Sequence, residues 1–101
     1  MEITTQSTPE QIQVRVNGRI DTNTSPPLQA EIMKSFQKGR NVILDFAKVD
    51  YISSAGLRAL LLGHKTAVSK GGSLKIIHVP EIVREVFAVT GFDKILNISD
   101  E

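Results

Sequence analysis

The sequence predicts an α/β fold in which a mixed β-sheet is packed with helices, and two features of the apolar pattern support this prediction. From Asn41 onward, short apolar runs typical of buried strands alternate with helical patterns of about 10–15 residues. This alternation predicts right-handed βαβ crossovers and therefore a parallel section of sheet. No helical pattern separates the first two strands, so we expect them to pair antiparallel as an N-terminal hairpin.

The two N-terminal strands are predicted from short stretches of different character. Residues 3–7 can form a short edge strand, whereas residues 11–16 alternate apolar and polar side chains, as in a strand with one solvated face. Asn17 and Gly18 are typical of a type I′ hairpin turn, but too few residues follow them to pair back. We therefore expect the second strand to continue through a kink or bulge to Ile20.

The first helix is predicted to follow a polar loop over residues 21–27. Ser25 can cap this helix, and Pro26 can take its first position because proline lacks the N–H that a first-turn residue leaves unpaired. An apolar stripe at helical spacing then predicts its buried face: Leu28, Ile32, Met33 and Phe36. Gly39 is a typical residue at a helix end.

Residues 42–44 form an apolar run that predicts a buried strand ending at Asp45. Helical spacing begins at Gly56, with an apolar stripe formed by Leu57, Leu60, Leu61, His64 and Val68. Ser53 and Ser54 lie at the start of this helix, where a serine oxygen can accept a hydrogen bond from a free backbone N–H. The same position favours a phosphate, because unpaired N–H groups and the helix dipole both attract negative charge.

The remaining elements complete the alternation of strands and helices. The glycine pair at residues 71–72 predicts the end of the second helix, and residues 74–79 form the next strand. Pro80 opens a third helix whose predicted apolar residues are Ile82, Val83, Val86 and Phe87. The pair at residues 90–91 ends that helix, and residues 95–98 can form a short final strand.

Composition narrows the functional classes. A chain of 101 residues predicts one domain over residues 1–101, and 41% hydrophobic with 23% charged residues is typical of a soluble globular protein. A net charge of +1 and few aromatic residues argue against a nucleic-acid partner. We find neither an apolar run that would insert into a membrane nor a signal peptide. The absence of cysteine excludes thiolate chemistry and fits a reducing cytoplasm, the localisation that we expect.

Residues suited to catalysis are too scattered to predict an enzyme. His64 lies on the apolar stripe of its helix, and His78 lies in a predicted strand without a partner at metal-ligand spacing. Glu81 and Glu85 are one helical turn apart and are better explained as a solvated face. No glycine-rich phosphate loop is present. We therefore expect no catalytic residues, no metal and no cofactor.

Asp45 has two possible interpretations. An aspartate at the end of a buried strand resembles the phosphate acceptor of response-regulator receiver domains. Those domains also need an acidic pair after the first strand and a lysine after a late strand, and this chain has neither arrangement. We therefore expect Asp45 and Asp50 to hold the loop before the serines through Asx-type hydrogen bonds.

The residues alone leave several functions open for this chain. Ser53 and Ser54 can serve only as helix caps or can carry a regulatory modification, and capping alone is the commoner role of serine at this position. An α/β sheet also offers a crevice at its strand ends, which would suit a small-molecule or nucleotide sensor. Lys34, Lys38 and Arg40 are most simply explained as solvated surface.

Four segments resemble a known family. Residues 42–46 (Val-Ile-Leu-Asp-Phe) and 49–57 (Val-Asp-Tyr-Ile-Ser-Ser-Ala-Gly-Leu) resemble the signature of STAS domains, and more narrowly that of bacterial anti-sigma factor antagonists. Residues 18–21 resemble a second family motif, Gly-x-Leu/Ile-Asp, and residues 86–92 resemble the closing pattern. The resemblance covers essentially the whole chain and implies a STAS-like mixed sheet.

The resemblance implies a non-enzymatic partner switch. Such a protein binds an anti-sigma factor serine kinase while unphosphorylated, and phosphorylation releases it. A PP2C-type serine phosphatase then resets the system. The phosphoacceptor aligns with Ser54, two residues before Gly56. The resemblance places the partner-binding surface at Asp21, Thr22, Asn23, Ser53, Ser54, Ala55, Gly56 and Arg58.

Two residues depart from the commonest pattern of that group, Asp-Ser-Ser/Thr-Gly-Leu. Ser53 stands where the pattern has aspartate, and Ala55 stands where it has a second hydroxyl residue. Ser53 is therefore an alternative phosphoacceptor. Membership in another STAS branch, such as a secretion regulator, a stress complex or a lipid-transport system without a phosphoswitch, is the alternative function.

Overall fold

The computed structural model describes residues 1–99. The strands are β1 (Glu2–Ser7), β2 (Ile12–Ile20), β3 (Asn41–Ile52), β4 (Ser73–Ile77) and β5 (Asn97–Ile98). The helices are α1 (Ser25–Lys38), α2 (Ser54–Ser69) and α3 (Glu81–Thr90), with a 3₁₀ turn at Phe92–Lys94. The chain therefore follows the predicted alternation, with α1, α2 and α3 each connecting two strands.

The strands form one mixed sheet in the order β1-β2-β3-β4-β5. β1 pairs antiparallel with β2, whereas the β2–β3, β3–β4 and β4–β5 pairs are all parallel. Each parallel pair is connected through a helix, as βαβ geometry requires. This topology confirms the predicted fold class, an N-terminal antiparallel hairpin joined to parallel βαβ strands.

The hydrophobic core lies against one face of the sheet. Along β3, Val42, Leu44 and Phe46 are fully buried, while the residues between them are half-buried. Alternation with a period of two puts the buried set on a single face. Leu60 of α2 and Phe87 of α3 belong to the same buried cluster, so the helices cover this face and position the strand ends.

β3 is much longer than predicted. The sequence predicts that it ends at Asp45, but the strand continues through Ile52. Its pairing with β2 shifts register twice beyond that aspartate, and the buried residues become Phe46, Val49 and Ile52, three apart. The expected loop before the serines is therefore wrong, because strand pairing extends up to the serines themselves.

β2 continues through the bulge that the sequence predicts. Gly18 has φ = +110°, a conformation that other residues rarely adopt, and both register shifts against β3 flank this part of the strand. β2 runs on to Ile20. The hairpin turn at residues 17–18 does not form, and the end of β2 stays paired with the second half of β3, up to Ile20 opposite Ile52.

The ends of α1 differ from the prediction in detail. Thr24 is the N-cap residue, and Ser25 is the first helical residue, so the prediction of Ser25 as the cap is wrong. The buried Ser25 hydroxyl donates to the backbone oxygen of Asp21. The helix ends at Lys38 as expected, but Gly39 is extended (φ −168°) rather than left-handed.

Two apolar stripes also differ from the prediction. Val68 of α2 is 64% exposed and Ile82 of α3 is 59% exposed, although both were predicted to face the core. In α2 the buried face turns towards small residues, including Gly63 and Ala67. At the C-terminal end, the predicted strand over residues 95–98 is reduced to β5, because the 3₁₀ turn comes first.

Candidate functional site

The two serines lie where the central strand β3 passes directly into α2. Ser53 is the N-cap residue, and its side-chain oxygen accepts a hydrogen bond from the Gly56 N–H at 3.3 Å. Its own N–H donates to the Ile20 backbone oxygen at 2.8 Å, which continues the β2–β3 pairing by one bond. The helix begins at Ser54, two residues earlier than the apolar spacing predicts.

Ser54 differs from Ser53 in what its hydroxyl does. It occupies the first helical position, its side chain is exposed, and its hydroxyl makes no hydrogen bond with residues 1–99. Ser53 is half-buried, and its hydroxyl oxygen caps the helix by accepting the Gly56 N–H. The two adjacent hydroxyls therefore have separate roles: Ser53 stabilises the helix start, and Ser54 presents a free hydroxyl to solvent.

Gly56 lets the start of α2 approach the sheet. A Cβ atom at this position would lie 2.7 Å from both Ile20 Cγ2 and Ile52 Cγ1, closer than side chains normally pack. The glycine is buried, and the helix start therefore rests on the last residues of β2 and β3. This contact fixes the position of Ser54 relative to the loop that follows β2.

The loop after β2 is held by its own side chains. The Asp21 carboxylate accepts hydrogen bonds from the backbone N–H groups of Asn23 (2.9 Å) and Thr24 (3.0 Å). The Thr24 hydroxyl donates to the Arg19 backbone oxygen at 2.7 Å. Thr22 and Asn23 are exposed at the tip of this ordered turn.

The same contacts lower the pKa of Asp21. The hydrogen bond from the Thr24 backbone N–H is the largest cause, and the bond from the Asn23 N–H and the nearby Arg19 guanidinium act in the same direction. A lowered pKa means that the carboxylate stabilises the folded loop above the pKa of an unfolded aspartate. That contribution is lost as the pH falls through the lowered value.

We expect an NMR titration to show this effect in the loop. The Asp21 carboxyl carbon should titrate below the usual range of aspartate, and the amide resonances of Asn23 and Thr24 should move with the same midpoint, because both amides donate to that carboxylate. The Asp21→Asn variant is the control, in which this titration of the two amides disappears. A midpoint at or above the ordinary aspartate value would contradict the assignment.

A stacked pair flanks the serines on the sheet. The Arg19 guanidinium carbon lies 4.1 Å from the centroid of the Tyr51 ring, a cation–π contact, and Arg19 Nε is 3.6 Å from Asp21 Oδ2. The apolar pattern of the sequence does not predict this pair. The signal for it is the parallel register, which places Arg19 opposite Tyr51. The sequence predicts a kink or bulge in β2, but not the two extra residues of β3 that set this register.

The remaining predicted site residues belong to α2. Ala55 is half-buried, and Arg58 is exposed one turn after Ser54. Together with Thr22 they line a groove between α1 and α2. The structure therefore brings the loop after β2, the two serines and the first turn of α2 together.

Asp45 and His78 lie apart from the serines. Asp45 Oδ1 accepts from the Ala47 N–H at 3.0 Å, as expected of an Asx-type bond, but within β3 rather than in a loop. The same oxygen lies 3.1 Å from Nδ1 of His78. His78 was predicted inside a strand, and this is wrong: it follows β4 with φ = +56°. Asp50 is exposed on β3.

Residues 1–99 contain neither a cluster of metal-ligating side chains nor a membrane-spanning helix. These residues contain no group of three or more histidine, cysteine, aspartate or glutamate side chains that could hold a metal ion. Within the same range, no helix is both long enough and apolar enough to cross a membrane. The sequence pattern and the geometry instead agree on one feature, the exposed Ser54 at the start of α2.

Comparison with known proteins gives consistent matches. The STAS domain family matches residues 2–101. The chain is 37% identical over 86 residues to the Bordetella bronchiseptica protein BtrV, named as an anti-sigma factor antagonist, covering 84% of this chain and 74% of BtrV. It is 31% identical over 88 residues to the anti-sigma-B factor antagonist of Bacillus subtilis, covering 87% and 81%.

Solved structures show the same fold. The anti-sigma factor antagonist SpoIIAA in its unphosphorylated form superposes with a TM-score of 0.77 at 19% identity, covering 99% of this chain and 89% of SpoIIAA. The phosphorylated form of the Bacillus cell fate determinant SpoIIAA gives a TM-score of 0.75 at 19% identity, covering 99% and 93%. This chain therefore has the fold of SpoIIAA, whose structure is solved in both the unphosphorylated and the phosphorylated form.

Proposed function

Since the chain belongs to the STAS domain family, we propose that it is an anti-sigma factor antagonist controlled by phosphorylation of Ser54. In this proposal the unphosphorylated chain binds an anti-sigma factor serine kinase and thereby frees a sigma factor. The kinase transfers the γ-phosphate of ATP to the Ser54 oxygen, whose proton is lost, and the complex dissociates. A PP2C-type serine phosphatase hydrolyses the phosphoester and restores binding. The chain itself catalyses nothing.

The division of roles between the two serines is the observation that carries the proposal. Ser54 is exposed and its hydroxyl is not engaged by residues 1–99, so a kinase can reach it without opening the fold. The Ser53 hydroxyl accepts the Gly56 N–H and would have to give up that bond to be modified. The geometry therefore supports Ser54 over Ser53 as the acceptor.

A phosphate on Ser54 should leave the domain folded. It adds about −1.5 to −2 charges at neutral pH. At the first position of a helix these charges face unpaired N–H groups and the positive end of the helix dipole, which favours them. SpoIIAA keeps the same fold in its phosphorylated form, which supports this expectation.

The same phosphate should lower the affinity for a docked protein. Two unit charges ~4 Å apart at an effective dielectric of about 20 interact by ~4 kcal/mol. Screening and longer distances reduce this to about 1.5–3 kcal/mol, which corresponds to roughly a 10- to 150-fold loss of affinity. A change of that size exchanges one partner for another without any unfolding.

The proposed kinase-binding surface comprises the loop after β2 and the start of α2. Its residues are Asp21, Thr22, Asn23, Ser53, Ser54, Ala55, Gly56 and Arg58. In support, the Asp21 turn is held by its own hydrogen bonds before any partner arrives, including those that link Asp21 to Asn23 and Thr24 and Thr24 to Arg19. An ordered surface loses less conformational entropy on binding than a flexible one.

The proposal is tested with the wild-type chain and the purified anti-sigma factor serine kinase of the same organism. We expect a complex in the presence of ADP by isothermal titration calorimetry. With ATP, intact-mass spectrometry should show one added phosphate, and the affinity should fall by about 10- to 150-fold. Treatment with a PP2C-type phosphatase should restore both the mass and the affinity.

Two results would refute the proposal. One is a kinase that neither binds nor phosphorylates the chain, while it does bind another STAS protein used as a positive control. The other is equal affinity of the phosphorylated and unphosphorylated forms. Either result would favour the alternative, a STAS subunit of another assembly in which these serines only cap a helix.

A further inference from the structure

A groove of about 580 Å³ runs along the seam between α1 and α2. It begins beside Ser54, at Ala55, and continues along α2 to Lys65, ten residues further on. At a rise of 1.5 Å per residue this distance is about 15 Å, or nearly three helical turns. The floor and rim are largely apolar and include Pro26, Ala30, Met33, Ala55, Leu61 and Leu62.

The charges around the groove are all of one sign. Arg58 and Lys65 line it, and no acidic side chain does. The sequence of α2 contains no aspartate or glutamate, and Glu31, the acidic residue of α1, is bound to the Thr5 hydroxyl of β1 at 2.7 Å. Neither Arg58 nor Lys65 forms an ion pair with residues 1–99, so both charges are available to a ligand.

The walls of the groove determine what shape of ligand fits. Both walls are helices, whose backbone N–H and C=O groups are already paired within each helix. An extended peptide would find no sheet edge to pair with here, so binding must depend on side chains. An amphipathic helix inserts apolar side chains at i, i+3, i+4 and i+7 into such a groove and needs no backbone bonds from it.

We propose that this groove receives an acidic amphipathic helix of the anti-sigma kinase. The inference rests on the function proposed above and adds the element by which the kinase holds the chain. Apolar side chains of that helix contact Leu62 and Met33, and its carboxylates face Arg58 and Lys65. The groove is continuous with the start of α2, so the kinase contacts the groove and Ser54 together.

This arrangement also explains how one phosphate disrupts a larger interface. A phosphate on Ser54 lies one helical turn from Arg58, at the spacing at which helix side chains interact. The guanidinium then pairs with the phosphate and no longer attracts the carboxylates of the docked helix. The negative charge at the end of the groove repels the same carboxylates, so both effects weaken binding.

The test uses single substitutions in the groove and the purified kinase with ADP. Leu62 is 40% exposed at the rim, so an ionised side chain there stays solvated and the fold is retained. We expect Leu62→Glu to weaken kinase binding at least tenfold and Leu62→Lys to weaken it less, because only glutamate repels an acidic helix. The matched control is Val68→Glu, on the same helix outside the groove and 64% exposed, which should change affinity less than threefold.

Circular dichroism and thermal unfolding of each variant establish that it is folded. If the wild-type chain binds the kinase and Leu62→Glu binds equally well, the groove inference is wrong while the proposed function stands. If the wild-type chain does not bind, both fail. Self-association of the wild-type chain that Leu62→Glu abolishes in sedimentation velocity would assign the groove to a second copy and overturn the proposal, as would a co-purifying small molecule that only this variant loses.

Discussion

Replacing Ser54 with alanine is expected to abolish phosphate transfer by the kinase. The exposed hydroxyl at the first position of α2 is the proposed acceptor, and no other hydroxyl takes its place there once it is removed. Intact-mass spectrometry after incubation with kinase and ATP should show the unmodified mass alone. The variant should stay folded, because alanine removes only an oxygen that is not bonded within residues 1–99.

Ser53→Ala is the matched control for this experiment. It should still accept one phosphate, but it removes the oxygen that caps α2, which costs about 1 kcal/mol of stability. For a chain of this size that corresponds to a melting temperature lower by roughly 4–8 °C. Ser54→Ala should show no comparable decrease. If Ser54→Ala still accepts the phosphate and Ser53→Ala does not, the acceptor is Ser53.

An aspartate in place of Ser54 should reproduce part of the effect of phosphorylation on kinase binding. Ser54→Asp adds one negative charge instead of almost two, so we expect it to weaken kinase binding, but by less than phosphorylation does. Calorimetric titration against the kinase with ADP measures the difference. Equal affinity of Ser54→Asp and the wild-type chain, together with equal affinity of the phosphorylated form, would show that charge at this position does not control the complex.

The second large effect is a loss of stability, expected when alanine replaces Gly72 in the turn between α2 and β4. An added Cβ would lie 1.8 Å from the Arg40 backbone oxygen and 2.5 Å from the Arg40 carbonyl carbon. The obstruction is backbone, so it cannot move aside as a side chain would. The same oxygen accepts the Ser73 N–H at 2.9 Å, a bond at the start of the β3–β4 pairing. Gly72→Ala must separate these two strand starts.

We expect Gly72→Ala to lower the free energy of unfolding by about 3 kcal/mol or more, the upper end of the range for overpacking. The melting temperature should fall by roughly 12 °C or more. Gly39→Ala is the control, because Gly39 is extended and its added Cβ would meet only the flexible Ile12 side chain, at 3.3 Å from Cδ1 and 3.9 Å from Cγ1. We expect that change to alter stability by about 1 kcal/mol or less. Similar melting curves for both variants would contradict the prediction.

The sheet topology could be predicted from the sequence because it depends on the order of strand and helix patterns. The length of β3 could not. Beyond Asp45 its core positions fall at Phe46, Val49 and Ile52, since two extra residues enter the strand opposite β2. A spacing of three is not the period of a regular strand. The pattern therefore resembles a loop, although the backbone stays paired.

The buried face of α2 is a second feature that the apolar pattern of the sequence does not predict correctly. The spacing of large apolar residues predicts Val68 as part of the core, yet the helix turns Gly63 and Ala67 inward. A Cβ at Gly63 would lie 2.9 Å from Leu74 Cδ2 and 3.0 Å from Ile32 Cγ2. Close packing here selects small side chains, and a hydrophobicity pattern gives them little weight.

Much of the candidate site could be anticipated, because a serine pair between a strand and a helix is a local feature. What the sequence could not assign was the separate role of each serine. That depends on where the helix begins, and it begins at Ser54 because the last bond of the β2–β3 pairing fixes the backbone at Ser53. The start is thus set by a tertiary contact with Ile20, far away along the chain.

The stacked pair beside the serines gives the protein a native optical reporter. Tyr51 is the single tyrosine of a chain without tryptophan, so the intrinsic fluorescence of the free protein comes from that ring. The ring is 40% exposed and carries the Arg19 guanidinium on its face, three residues before Ser54. Emission and quenching measured on the unlabelled chain therefore report on the surroundings of Tyr51, in the strand that leads directly into Ser53 and Ser54, with no dye attached to the protein.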